Sequence, residues 1–273
     1  TYVIIVAVKC LYQMDRWGRS EDSMNNNYMD YDNFQTALKY VACKKNHYKG
    51  IGTLSEKTMH SVLKQYFEPN EDNQEVALNG YYADIFNESG VIEIQTSQLN
   101  RLRDKLSIFL NHYCVTVVYP CLYNKWILWM NPDTKEVCEK RKSPKHCTQY
   151  DAFCELYKIK MFLKNPNIKI KFVLLDVNEY KVLNGWNDTK KRGAAKYDKV
   201  PIGIRNIVSI EQQQDYVQFV PHDIKMPFTS KDYAKAIHVS SKTASTVLHI
   251  LHYIGIVKRT GKKGNAYLYE LDR

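Results

Sequence analysis

Two acids flank a turn signal in the stretch GYYADIFNESGVIEIQTSQ, Gly80 to Gln98: Asp84 precedes NESG and Glu93 follows it. Both flanks read as short strands, so the stretch predicts a β-hairpin. If Asn87 to Gly90 form the turn, Phe86 pairs with Val91, Ile85 with Ile92 and Asp84 with Glu93. If the turn is only Ser89-Gly90, Asp84 faces Gln95 instead. In either register Asp84, Glu93 and Gln95 share one face, because strand side chains alternate; Ala83, Ile85, Ile92 and Ile94 fill the other. Directly opposed carboxylates cost roughly 0.2–1 kcal/mol, and more when water is removed. A divalent cation relieves that repulsion. Two carboxylates with a main-chain carbonyl nearby supply the hard oxygen donors that Mg2+ takes, waters completing the octahedron. The plainer alternative is a solvated hairpin face that holds no ion.

Such a pair must be held by a framework, and the flanking sequence supplies one. DYDNFQTALKYVACKK from Asp30 predicts a helix with Phe34, Leu38 and Val41 on one face. A second helix is expected over Thr53–Glu68, stopping at Pro69, with Met59, Val62, Leu63, Tyr66 and Phe67 on its apolar stripe. Three strands follow, QEVAL, YYADIF and GVIEIQT, separated by Asn79-Gly80 and NESG. SQLNRLRDKLSIFLNHY predicts a helix with Leu99, Leu102, Leu106 and Leu110 inward, and CVTVVYP a buried strand. From Thr53 the order is α-β-β-β-α-β. KWILWM predicts a further strand, KEVCEKRKSPKH is a basic run, TQYDAFCELYKIKMFLK a helix and IKIKFVLLDV a strong strand.

The net charge of +10 favours polyanionic partners such as nucleic acid. Seven cysteines without a C-x-x-C pair suggest neither a disulfide framework nor a zinc site, which points to a reducing cytoplasm. TYVIIVAVKCLY at the start falls short of the roughly 20 apolar residues of a spanning helix, and no membrane partner is expected. A start at Thr1 rather than Met leaves room for an upstream extension.

The order of elements and the Asp84…Glu93-Ile94-Gln95 spacing resemble the PD-(D/E)XK nuclease superfamily over about Thr53 to Tyr119. That superfamily places an Asp near one strand end, then an acid, an apolar residue and a Lys on the next strand. Here Gln95 stands where Lys is usual, a variant some members carry. The resemblance implies a restriction-endonuclease-like α/β core and Mg2+- or Mn2+-dependent phosphodiester hydrolysis. Asp84, Glu93 and the Ile94 carbonyl would hold the metal, and Gln95 would orient the attacking water. An acid on the first helix of such cores often reaches the metal, which makes Glu56 a candidate. Thr53-x-x-Glu56 is equally a capping box, and Glu68 is the weaker choice. Arg101 is a candidate phosphate contact, Lys105 reads as a solvated helix residue, and His60 as a partly buried one.

Thr229 to Leu271 resemble a winged helix-turn-helix domain. KDYAKAI is the supporting helix, SSKTASTVLHILHYIG the recognition helix and KRTGKKGN the wing. Ser240, Ser241, Lys242, Thr243 and Ser245 would enter the major groove, and Lys258, Arg259, Lys262 and Lys263 would hold phosphate. Asn187–Lys199 is a weaker phosphate-binding loop, and Trp186 beside it is read as an anchor.

The expected organisation is a weakly ordered 1–29 segment, a nuclease-like domain over 30–223 and a winged helix over 224–273. DNA is the expected partner, with RNA as an alternative substrate, and a homodimer is compatible with the sequence. The rival reading is a non-catalytic DNA-binding protein, such as a transcription regulator on a degenerate nuclease core.

Overall fold

The computed structural model describes residues 30–47, 58–131, 133–134, 136–182 and 195–272. The 1–29 segment, Glu56 and most of the 187–199 loop, with Trp186, lie outside these residues. The protein is a mixed α/β structure with one seven-stranded sheet and a separate three-stranded sheet. The large sheet runs β1 (Gln74–Leu78), β2 (Tyr81–Asn87), β3 (Gly90–Ile94), β4 (Val115–Met130), β6 (Ile168–Val182) and β7 (Ala195–Ile210), and β5 (Val137–Lys142) pairs with β4. No helix among the described residues is long and apolar enough to cross a membrane.

The chain divides into two compact units. One holds residues 1–74, 122–146 and 173–207. In it α1 (Tyr31–His47) packs on α2 (Thr58–Phe67), burying Phe34, Leu38, Val41, Met59, Val62 and Leu63. The apolar stripes read from sequence are the faces that meet. Glu68, at the end of α2, caps the following turn by accepting a 3.0 Å hydrogen bond from the Asn70 N–H. This unit also buries polar groups: Asp176 is wholly enclosed, bound by Asn124 from β4 and Arg205 from β7.

The other unit holds residues 75–121, 147–172 and 208–273. Asn79 and Gly80 join β1 to β2, with φ of 48° and 84°; two successive positive φ values suit the twist of a two-residue hairpin. Between β2 and β3 the register pairs Phe86 with Val91 and Ile85 with Ile92, the first of the two expected. β3 then pairs parallel with β4. A parallel neighbour needs a crossover, supplied by a 3-10 turn (Leu99–Leu102) and α3 (Arg103–Phe109), which bury Leu99, Leu102, Leu106 and Phe109. With both faces covered, Val91, Ile92, Glu93 and Ile94 are all buried.

Gly90 makes this junction. Its φ is 101°, and a Cβ there would lie 2.3 Å from the Cys114 main-chain oxygen, which also accepts from the Val91 N–H at 2.9 Å. A main-chain atom already committed to that bond cannot step aside. Gly90→Ala is therefore expected to cost about 2–3 kcal/mol, read as a lowered urea midpoint at unchanged slope.

The same unit contains the C-terminal elements: β8 (Phe228–Thr229), α5 (Ser230–Ala236), α6 (Ser241–Ile254), β9 (Val257–Lys263) and β10 (Ala266–Leu271), with sheet order β8-β10-β9. Thr229 and Asp232 form a capping box at α5, and Gly255 ends α6 at φ 86°. Tyr233, Ala234, Val247, Leu248, Leu251 and Ile254 form its core. α6 packs on α4 (Gln149–Leu156), and the Tyr233 hydroxyl donates to the Phe219 carbonyl at 2.7 Å.

Two strands differ from the sequence reading. CVTVVYP and KWILWM are one continuous strand running through Pro120. The basic run contains β5, stabilised by main-chain pairing to β4 rather than by an apolar face.

Candidate active site

The hairpin pairing ends at Ile85–Ile92, and Asp84 and Glu93 are the next residues on the two strands, close enough for their charges to interact. One Asp84 oxygen accepts from the Ile94 N–H at 2.7 Å. Within a strand residue, N–H and C=O point to the same side, so the Ile94 carbonyl is directed toward the Asp84 arm. Glu93 is 1% exposed.

The crossover adds a residue that the sequence reading gave to solvent. Lys105 on α3 reaches both Glu93 oxygens, at 3.1 and 3.0 Å, and the Tyr82 carbonyl at 2.6 Å. The correction has a local cause. Lys105 lies three residues after Leu102 and four before Phe109, both buried, so it sits at the margin of the apolar face. Its stem follows that face and carries the ammonium to the sheet. That spacing was the available signal.

Burial pushes the Glu93 carboxyl up, the neighbouring Asp84 charge pushes it further, and Lys105 pulls it back, leaving it at about 7. With both acids ionised, the two carboxylates and one ammonium sum to one negative charge. The oxygen donors facing this point are Asp84, Glu93 and the Ile94 carbonyl, a set fitting a hard cation that keeps several waters. No group of three His, Cys, Asp or Glu side chains placed to hold a metal occurs among the described residues.

Gln95 does not join them. Its amide donates to the Ser97 carbonyl at 2.5 Å, turned onto its own loop just past the end of β3. The cation beside the acids is Lys105. Arg101 is exposed on the 3-10 turn.

At the C-terminus Ser241 and Lys242 are exposed on the first turn of α6, and Ser245 is exposed just after it. Thr243 is buried, and its main-chain N–H donates to the Ser240 hydroxyl at 3.1 Å. Ser240 is the N-cap of α6, and Thr243 is the residue it holds. Lys258, Arg259, Lys262 and Lys263 are exposed on β9, with Lys258 3.4 Å from Asp272. A bulge leaves Thr260 outside the β9–β10 pairing. It brings Arg259 and Lys262 to the same aromatic, 4.0 and 5.1 Å from the Tyr267 ring centre.

Residues 57–211, more than half of the chain, match the family model described as Domain of unknown function (DUF8091). The chain belongs to the DUF8091 family. The DUF8091 match includes Asp84, Glu93 and Lys105 and ends before β8. An uncharacterized protein of Treponema pallidum (strain Nichols) is 30% identical over 167 residues, 61% of this chain. The chain spans 64% of that relative's length. No solved structure matches.

Proposed function

We propose that this DUF8091 protein is a metal-dependent DNA endonuclease guided by a winged helix. The reading is carried by the convergence of Asp84, Glu93 and Lys105 where the hairpin, the parallel strand and the crossover helix meet. It is supported by the antiparallel β2–β3 pair followed by a helical crossover into parallel β4, the order expected of a restriction-endonuclease-like core. Asp84, Glu93 and the Ile94 carbonyl would hold Mg2+ or Mn2+, which when bound activates water and offsets phosphate charge. Asp84 and Glu93 fix the donors on a rigid hairpin. Lys105 supplies a positive charge next to Glu93, suited to a phosphate oxygen on which charge develops. The test is incubation of duplex, branched and single-stranded DNA with Mg2+ or Mn2+; products absent from an Asp84→Asn protein support the reading, and intact DNA throughout sinks it.

One observation favours a second reading. Lys105 engages both oxygens of Glu93, so the ammonium can take the place of a cation in a non-catalytic core. The chain would then bind DNA without cutting it.

Both readings use the winged helix. Replacing Lys242 and Lys262 with Gln is expected to weaken duplex binding and to flatten the plot of log K against log salt by roughly 0.9 per lost phosphate contact. Fluorescence anisotropy across a salt series measures it, and an unchanged slope removes these lysines from the interface.

A further inference from the structure

β5 is an edge strand, paired only with residues 126–130 of β4 among the described residues. Its register sets Trp126 opposite Lys142, Leu128 opposite Lys140 and Ile127 opposite Arg141. The cations therefore alternate between the two faces, and each face offers an aromatic ring. Lys140 and Lys142 stand 5.8 and 5.6 Å from the Trp126 ring centre, and Arg141 stands 5.6 Å from that of Trp129. Lys140, Arg141, Lys142 and Lys145 are exposed, and no ion pair to them occurs among the described residues. Glu139 is the strand's one acid. The neighbouring Lys125 differs: it is bound to Glu179 at 2.9 Å.

Edge lysines can serve simply to discourage strand-to-strand aggregation. That role needs no aromatic seat under each cation. Seating restrains three long side chains before any partner arrives, lowering the entropy lost on binding. Three adjacent cations also repel one another, a cost that a polyanion removes. We infer that the β4–β5 edge binds the phosphate backbone of DNA. The choice of DNA rests on the function proposed above; the demand for closely spaced anionic groups follows from Lys140, Arg141 and Lys142 themselves.

The test uses the full chain in EDTA, so that cleavage plays no part. Duplex binding is followed across a salt series for wild type and for Lys140→Gln/Arg141→Gln/Lys142→Gln. The triple variant is expected to bind about 10-fold or more weakly at physiological salt, with a slope shallower by roughly 2–3. Lys140→Arg/Lys142→Arg should retain wild-type binding. Equal affinity and slope for wild type and the triple variant would overturn the inference. So would binding of the wild type to phosphatidylserine vesicles but not to duplex, with the triple variant losing that vesicle binding. If the edge binds duplex and the chain never cleaves it, this inference stands and the nuclease reading falls.

Discussion

Asp84→Asn and Glu93→Gln are expected to abolish DNA cleavage, lowering the rate at saturating duplex by about 10³-fold or more while duplex binding persists. A loss of that size is about 4 kcal/mol of barrier, reasonable for an interaction that acts mainly in the transition state. Each variant removes one of two charged donors, and no third acidic, histidine or cysteine donor converges among the described residues to replace it. A quenched-flow or gel assay with Mg2+ reads the rate. Wild-type rates in both variants would move the chemistry elsewhere; no activity in any protein would favour the Lys105-neutralised, non-catalytic core.

Glu93 carries a second, independent signature. Its folded carboxyl sits at about 7 against an ordinary 4.5. Between those values the native chain holds a proton that the unfolded chain has released. Metal-free stability therefore falls as pH rises through this window, because the unfolded state then binds fewer protons. Glu93→Gln should remove that component, flattening the urea midpoint between about pH 4.5 and about pH 7. Metal requires the ionised acid, so Mg2+ affinity should rise over the same window as the proton is displaced. A pH-independent wild-type midpoint would contradict the environment described for Glu93.

The hairpin was legible because local chemistry determines it. Asn87 and Gly90 mark the turn, and the alternation of Ala83, Ile85, Ile92 and Ile94 with acids sets which face is apolar; the turn decides between the two registers and pairs Ile85 with Ile92. Lys105 was less legible, since its partner lies twelve positions away across a crossover; only its place beside Leu102 and Leu106 pointed inward. Gln95 was misplaced because strand alternation was extended past Ile94, where β3 ends. β5 has no apolar periodicity, and what holds it is the main chain of Trp126–Met130. Thr243 lies at a groove-facing position by motif, yet the Ser240 cap turns it inward. These misses concern pairing partners that are distant in sequence or set by caps and bulges.

The buried Asp176 was likewise invisible, since an acid inside IKIKFVLLDV carries no mark of its partners. One of its oxygens accepts from Asn124 at 2.8 Å; the other is gripped by Arg205, through Nε at 2.9 Å and Nη2 at 2.7 Å. Arg205→Met is expected to destabilise the chain by about 3–5 kcal/mol, because it takes the guanidinium from an enclosed carboxylate. Arg205→Lys should recover only part of this, since a single ammonium replaces two donors held in a plane. The double variant Asp176→Leu/Arg205→Met removes both charges and should regain most of the lost stability. Urea unfolding of the four proteins separates the terms. If the double variant remains as weak as Arg205→Met, the cost lies in lost packing rather than in a stranded charge. Asn124 and Trp126 point to the same face of β4, two positions apart. If the network also fixes how β4 presents its tryptophans, the double variant will regain stability yet bind duplex less tightly than wild type. Wild-type binding in the double variant would confine Asp176 and Arg205 to stability.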